Sequence, residues 1–245
     1  MKKVIFFLII ISLLILEGCR SNPVPVLPPE VYTYNPRGTG SQISIDFTRG
    51  KSFNHPLMVF WIEDENGNFI QTLYVSESIG KGVFQHGDAA GGKWMPGELR
   101  RPAALPVWSH KRAIKASDGL YIPDKANPVP DAYTGPTPGG NFILNAALDN
   151  NSLKKFTLWF EINQTWDWNE YWTNNKYPDD EEYKTSCQPA LVYKVEIDTE
   201  SSQKEYELKV VGHGHHSGKN GDIFPDLSTI TTALDIVGSI KVGIN

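Results

Sequence analysis

Apolar residues that recur at every second position, an Asn-Gly pair between two such runs, and few stretches of helical period predict an all-β protein. Ile43, Ile45 and Phe47 alternate with Gln42, Ser44 and Asp46, the pattern of a strand with one buried face. Leu57 to Glu63 and Phe69 to Val75 flank Asp64-Glu65-Asn66-Gly67-Asn68. Asn and Gly tolerate positive φ, so this segment reads as a β-hairpin. Phe142 to Leu148 supplies the next strand. Phe156, Leu158, Phe160 and Ile162 then alternate with Thr157, Trp159 and Glu161, and Leu191, Tyr193, Val195 and Ile197 with Val192, Lys194 and Glu196. Tyr206, Leu208 and Val210 make one further run, and Ile240, Val242 and Ile244 the last. About eight strands joined by turn residues fit an immunoglobulin-like antiparallel β-sandwich over residues 41–245, with an up-and-down barrel as the alternative. Two stretches break the alternation. Residues 80–138 are rich in Gly and Pro and too long for an ordinary loop, which predicts a functional insertion, and residues 166–186 are polar, aromatic and irregular.

The N-terminus reads as an address. Met1-Lys2-Lys3 is a basic head, Val4 to Leu16 is apolar, and Leu16-Glu17-Gly18-Cys19 closes the segment, as in a secretory signal peptide covering residues 1–18. The last four residues resemble the lipobox of bacterial lipoproteins, which implies a lipid on Cys19 and a protein anchored to a membrane rather than spanning it. Residues 19–40 follow as a spacer, with Pro23, Pro25, Pro28 and Pro29 favouring stiff polyproline II geometry. Cys187 then has no cysteine partner in the mature chain and reads as a small buried hydrophobe. Removing Lys2, Lys3 and Glu17 with the signal takes the net charge from −5 to −6, and no basic stripe of the kind nucleic acid requires is present.

Four constellations bear on chemistry. The first is Gly212-His213-Gly214-His215-His216-Ser217-Gly218, followed by Asp222 and Asp226. Continuation of the preceding strand would set His213 and His215 on one solvent-facing side, roughly 6.5–7 Å apart at about 3.3 Å per residue. With His216 or Asp222 they form a candidate set for copper or zinc; the alternative is a polar turn held by its own hydrogen bonds. The second is Asp131-Ala132-Tyr133-Thr134-Gly135-Pro136-Thr137. It is similar to the acceptor motif of extracytoplasmic proteins that carry covalent flavin mononucleotide; the resemblance implies Thr137 as acceptor, with Asp131 and Thr134 matching and Pro136 replacing the usual Ala. The third is the cationic set Arg100, Arg101, His110, Lys111 and Arg112, which would hold an oxyanion if gathered in a pocket and is otherwise a solvated loop. The fourth is Trp166-Asp167-Trp168-Asn169-Glu170-Tyr171-Trp172; exposed, Trp166, Trp168 and Trp172 make a stacking surface for sugar, and buried they make a small core. Gly-x-Ser-x-Gly, Walker-type, His-Glu-x-x-His and Cys-x-x-Cys patterns do not occur, so the reading is non-catalytic, with an unrecognised hydrolase behind it.

Phe60-Trp61-Ile62-Glu63-Asp64 through Leu73, Leu105 to His110, Asp131 to Pro138, Gln188 to Tyr193 and Gly212 to Leu227 together resemble an uncharacterised family of periplasmic β-sandwich proteins of the bacterial cell envelope, a domain of unknown function. The resemblance implies an envelope location, facing the outer membrane or periplasm, in the company of flavin and iron redox proteins, and supplies no reaction. The expectation from the sequence is a lipid-anchored envelope protein acting as a metal-binding or redox-accessory module. The alternative is a surface lipoprotein that binds glycan or protein through its aromatic segment.

Overall fold

In the computed structural model, residues 28–149 and 151–244 are described; the signal segment, Cys19 and the first part of the proline spacer, through residue 27, lie outside them. The strands are β1 Glu30–Tyr34, β2 Gln42–Arg49, β3 Leu57–Glu63, β4 Phe69–Ser76, β5 Val83–Asp88, β6 Met95–Glu98, β7 Thr134–Gly135, β8 Phe142–Ala147, β9 Lys155–Asn163, β10 Leu191–Asp198, β11 Glu205–Glu207, β12 Lys209–His213 and β13 Val237–Ile244. Among the described residues three short α-helices accompany them: α1 Glu77–Lys81, α2 Pro106–Arg112 and α3 Glu181–Ser186. A five-stranded sheet has the order β1-β8-β2-β13-β11 and a six-stranded sheet the order β12-β10-β9-β3-β4-β7. The protein is therefore an all-β sandwich of two open sheets and not a barrel. Pairing is antiparallel except at two sheet edges, where β1 runs parallel to β8 and β7 parallel to β4.

The predicted alternation builds the main core. Ile43, Ile45, Phe47, Phe142, Leu144, Ile240 and Val242 from one sheet meet Met58, Phe60, Ile62, Leu158, Phe160, Ile162 and Leu191 from the other. Phe47 stacks on Phe142 at 4.6 Å and Phe60 on Phe160 at 4.3 Å between ring centroids. The β3–β4 hairpin forms at Asn66-Gly67 as expected. Asp64 accepts from the backbone N–H of Asn66 and Asn68, and Gly67 adopts φ +78°.

Three features depart from the sequence reading. Every residue of β3 is buried, and the sequence reading, which gave the hairpin, assigned nothing to cover its second face. Its outward residues Leu57, Val59 and Trp61 pack under Ala104, Leu105, Val107, Trp108, Ile122 and Val129, so much of the 80–138 insertion is a third layer over the six-stranded sheet. Next, the run from Tyr206 to Val210 is not one strand: β11 pairs with β13, the chain crosses over at Leu208, and β12 pairs with β10 in the other sheet. Finally, β1 occupies the stretch read as spacer, where Tyr32 and Tyr34 pack against Phe142 and Tyr74.

Candidate functional site

The segment 166–172 is fixed by its backbone. The N–H of Trp166 donates to Thr185 O at 3.1 Å, the N–H of Asp167 to Ser186 O at 3.1 Å, and the N–H of Gln188 to Asp167 O at 3.0 Å. Asp167 turns inward, where Thr232 Oγ1 donates to its carboxylate and burial pushes its carboxyl upward from the usual range. Asn169 ties off the turn: its Oδ1 accepts from the N–H of Tyr171 and Trp172, and its Nδ2 donates to Thr229 O and Thr231 Oγ1, both at 2.9 Å. Trp166, in a turn at φ +57°, and Trp168 flank this inward carboxylate. Trp166 and Trp168 are 66% and 59% exposed, and Tyr171 is 51% exposed. Trp172 is the other outcome foreseen for this segment; it is buried, with its Nε1 donating to Thr229 Oγ1 at 3.1 Å.

The histidine loop lies next to this segment. His213 ends β12 and is buried, where strand continuation predicts solvent exposure, because its main chain pairs with Phe224 and its ring stacks on that phenyl group. Its Nδ1 sits 2.8 Å from Gly214 O, so this nitrogen carries the proton. His215 Nδ1 accepts from the N–H of Ser217 at 3.2 Å, which places the proton of its neutral form on Nε2. His216 lies between His215 and Tyr177, each at 4.3 Å between centroids. Burial first, and the neighbouring His215 second, pull His216 down to about 4; burial and Lys219 lower His215 as well. Both imidazoles are thus neutral near pH 7. Asp222 is exposed, and among the described residues no group of three or more His, Cys, Asp or Glu is placed to hold a metal ion. For His215 to join His213, His216 and Asp222 around copper or zinc through Nε2, its proton would have to pass to Nδ1 and the bond from Ser217 be given up.

This loop is pressed onto the insertion. A Cβ on Gly214 would lie 2.6 Å from Pro106 Cγ, one on Gly218 2.2 Å from Pro102 O, and one on Gly221 2.6 Å from His110 Cβ. His110 comes beside the loop in this way, but the other cations have separate partners. Arg100 pairs with Asp118, Arg101 lies 4.8 Å over the Phe84 ring, Lys111 reaches Glu63 at 3.3 Å, and Arg112 covers Trp108 at 4.8 Å. Burial lowers Arg112 to about 10. The cationic set is spread around α2 rather than gathered into one oxyanion pocket.

Asp131, Thr134 and Thr137 are elsewhere. β7 carries Thr134 at one edge of the six-stranded sheet, while β12 and the histidine loop occupy the opposite edge. Gly135 is explained locally, because a Cβ there would fall 1.7 Å from the Tyr34 hydroxyl. Thr137 Oγ1 contacts Ser76 Oγ at 3.3 Å beside a cleft of about 360 Å³. Lys81, the cation of that cleft, is held by Asp131 at 2.8 Å and Glu77 at 3.2 Å, so the cleft offers a flavin phosphate no uncommitted positive charge.

Two features escaped the sequence reading. Glu161 faces outward on β9 but is fully buried beneath α2, accepting from the N–H of Val107 at 3.1 Å and of Trp108 at 2.9 Å; burial pushes it up to about 8. Its alternating context marks it as a wet residue, so no local signal reveals the cover. The second is a cleft of about 640 Å³ lined by Lys176, Tyr177, Asp180, Glu182, His215 and His216, among others. It adjoins the aromatic segment through Lys176, whose Nζ lies 3.1 Å from the Tyr171 ring centroid and donates to Tyr171 O at 3.0 Å. No family model, curated protein or solved structure matches the chain.

Proposed function

We propose that this protein is a non-catalytic carbohydrate-binding module of the bacterial cell envelope, held there by a lipid on Cys19, with Trp166 and Trp168 as its stacking surface. One observation carries the reading: two large apolar rings stand more than half exposed on a segment whose backbone is hydrogen-bonded at Trp166, Asp167 and Asn169. Isolated exposed apolar residues are ordinary, but two tryptophans displayed by a rigid, polar-anchored segment present π faces at little ordering cost on binding. The inward Asp167 and the tied Asn169 serve that display. The neutral imidazoles and carboxylates of the adjoining cleft supply hydrogen-bonding groups of the kind sugar hydroxyls use.

The test is a glycan array followed by titration calorimetry on the soluble chain. Trp166→Ala and Trp168→Ala should each weaken a captured oligosaccharide about tenfold, as expected from losing roughly 1–2 kcal/mol of stacking and burial. Neither should shift the melting temperature, because both rings lie outside the core. Undiminished binding by the double variant would sink the reading.

A further inference from the structure

The β5–β6 ribbon is built to close tightly on itself. A Cβ on Gly87 would lie 2.3 Å from Gly97 O, and one on Gly97 2.7 Å from Asp88 Cβ, so the strands approach this closely only with glycine at both positions. Beyond the last pair, Asp88 with Met95, the chain turns through Ala89 to Trp94. The polar groups of this turn find local partners: Asp88 Oδ1 accepts from the N–H of Ala90 at 2.8 Å, and the N–H of Gly92 donates to Ala89 O at 3.0 Å. The apolar side chains at the tip have no such partners. Trp94 is 67% and Met95 57% exposed, and among the described residues Trp94 has no hydrogen bond or ring contact and Lys93 no ion pair. What this tip faces follows from where the chain enters the fold. The N–H of Glu30, the first residue of β1, donates to Asn141 O at 2.9 Å, and its Oε1 accepts from the N–H of Gly139 at 2.8 Å. Thr137, just before, lines one cleft with Val83 and Gln85 of β5. The entry of the chain and the base of the ribbon therefore flank a single segment, residues 136–141. Cys19 lies 11 residues before Glu30. That length of chain spans at most about 40 Å at roughly 3.6 Å per residue, so a bilayer holding a lipid on Cys19 lies close to the ribbon.

We propose that the ribbon tip is a membrane contact, in which Trp94 and Met95 enter the headgroup region of the bilayer that holds the lipid on Cys19 and Lys93 meets its phosphates. Tryptophan favours the membrane–water boundary, where its ring is buried and its N–H still finds a polar partner. The strand edges of the ribbon stay at headgroup level, because unpaired backbone groups do not enter the hydrocarbon. Insertion beside a lipid adds a second membrane signal to the anchor and sets the orientation of the body. The proposal rests on the lipid reading of Cys19 and is independent of the carbohydrate surface.

The test uses the full mature chain, its mass first showing whether Cys19 carries lipid. The chain is then placed in vesicles of phosphatidylglycerol and phosphatidylethanolamine, with or without bromine on the acyl chains near the headgroup. Bromine quenches tryptophan on contact. The parent should lose emission in the brominated vesicles, and Trp94→Phe should keep its emission. Met95→Asp retains Trp94 but sets a charge beside it, and should lose much less than the parent. Lys93→Glu should also reduce the quenching in these anionic vesicles, an effect that fades as salt rises. A lipid-bearing chain that is not quenched, or is quenched as strongly after Trp94→Phe, overturns the ribbon contact and leaves the anchor standing. So does quenching that survives Met95→Asp and Lys93→Glu intact, or that disappears with Trp166→Phe and Trp168→Phe instead. A Cys19 without lipid overturns both.

Discussion

Glu161 shows how one carboxylate can join two layers. It rises from β9 into the start of α2 and receives two backbone N–H groups there, with Gly214 leaving room beside it. Burial outweighs those two hydrogen bonds in setting its protonation, so the folded state favours the neutral carboxyl more than the unfolded chain does. A carboxyl raised in this way adds stability at low pH, and that contribution is lost as pH climbs from the ordinary value of 4.5 through about 8. Thermal melts between these limits should therefore show stability falling with pH. Glu161→Gln, which mimics the neutral group, should flatten that slope and cost about 1 kcal/mol through the acceptor it lacks. A variant that keeps the full slope would assign the titration to another group. Neither the burial nor the partner of Glu161 is legible locally, since Thr157, Trp159 and Glu161 look alike as the outward set of one strand and differ only in what a distant insertion lays over them.

At the scale of elements, alternation was a sound guide where a strand has one covered face, as in β2, and misleading where a further layer covers the other, as at Glu161 on β9. The Asn66-Gly67 hairpin was legible because its turn chemistry is local. The change of sheet at Leu208 was not, because β11 and β12 keep a common alternation while hydrogen-bonding to different sheets. The β5–β6 ribbon is the counter-case within the insertion. Its strands pair with each other and its base meets α1, yet residues from Asp88 through Pro96 are exposed, and a Cβ on Gly91 or Gly92 would meet nothing within 4 Å. A two-stranded ribbon of this kind is marginal by itself. Replacing Ala89 through Trp94 with a two-residue turn should leave the melting temperature within about 2 °C of the parent, as expected for a surface change away from the core. A large drop in a thermal melt would show that the tip packs on the body.

For the molecule as a whole, the topology decides which sequence motifs can cooperate. The histidine loop and the aromatic segment meet because β12 and the 166–188 stretch lie at one side of the six-stranded sheet, while Asp131 to Thr137 is carried to the opposite edge by β7. Nothing in the spacing of these motifs distinguishes neighbours from strangers; strand order does. The same organisation sorts the seven tryptophans into two optical populations. Trp61, Trp108 and Trp172 are buried, and Trp159 is stacked on Trp61, so these emit from dry surroundings. Trp94, Trp166 and Trp168 face water and emit at longer wavelength. With Trp94→Phe in place, the long-wavelength light comes from the proposed stacking surface alone. An oligosaccharide seated there should blue-shift that component and shield it from acrylamide, leaving the short-wavelength emission unchanged; quenching unaltered by a bound glycan would put the ligand elsewhere. The core thus supplies an internal standard against which occupancy of the surface is read without any added label.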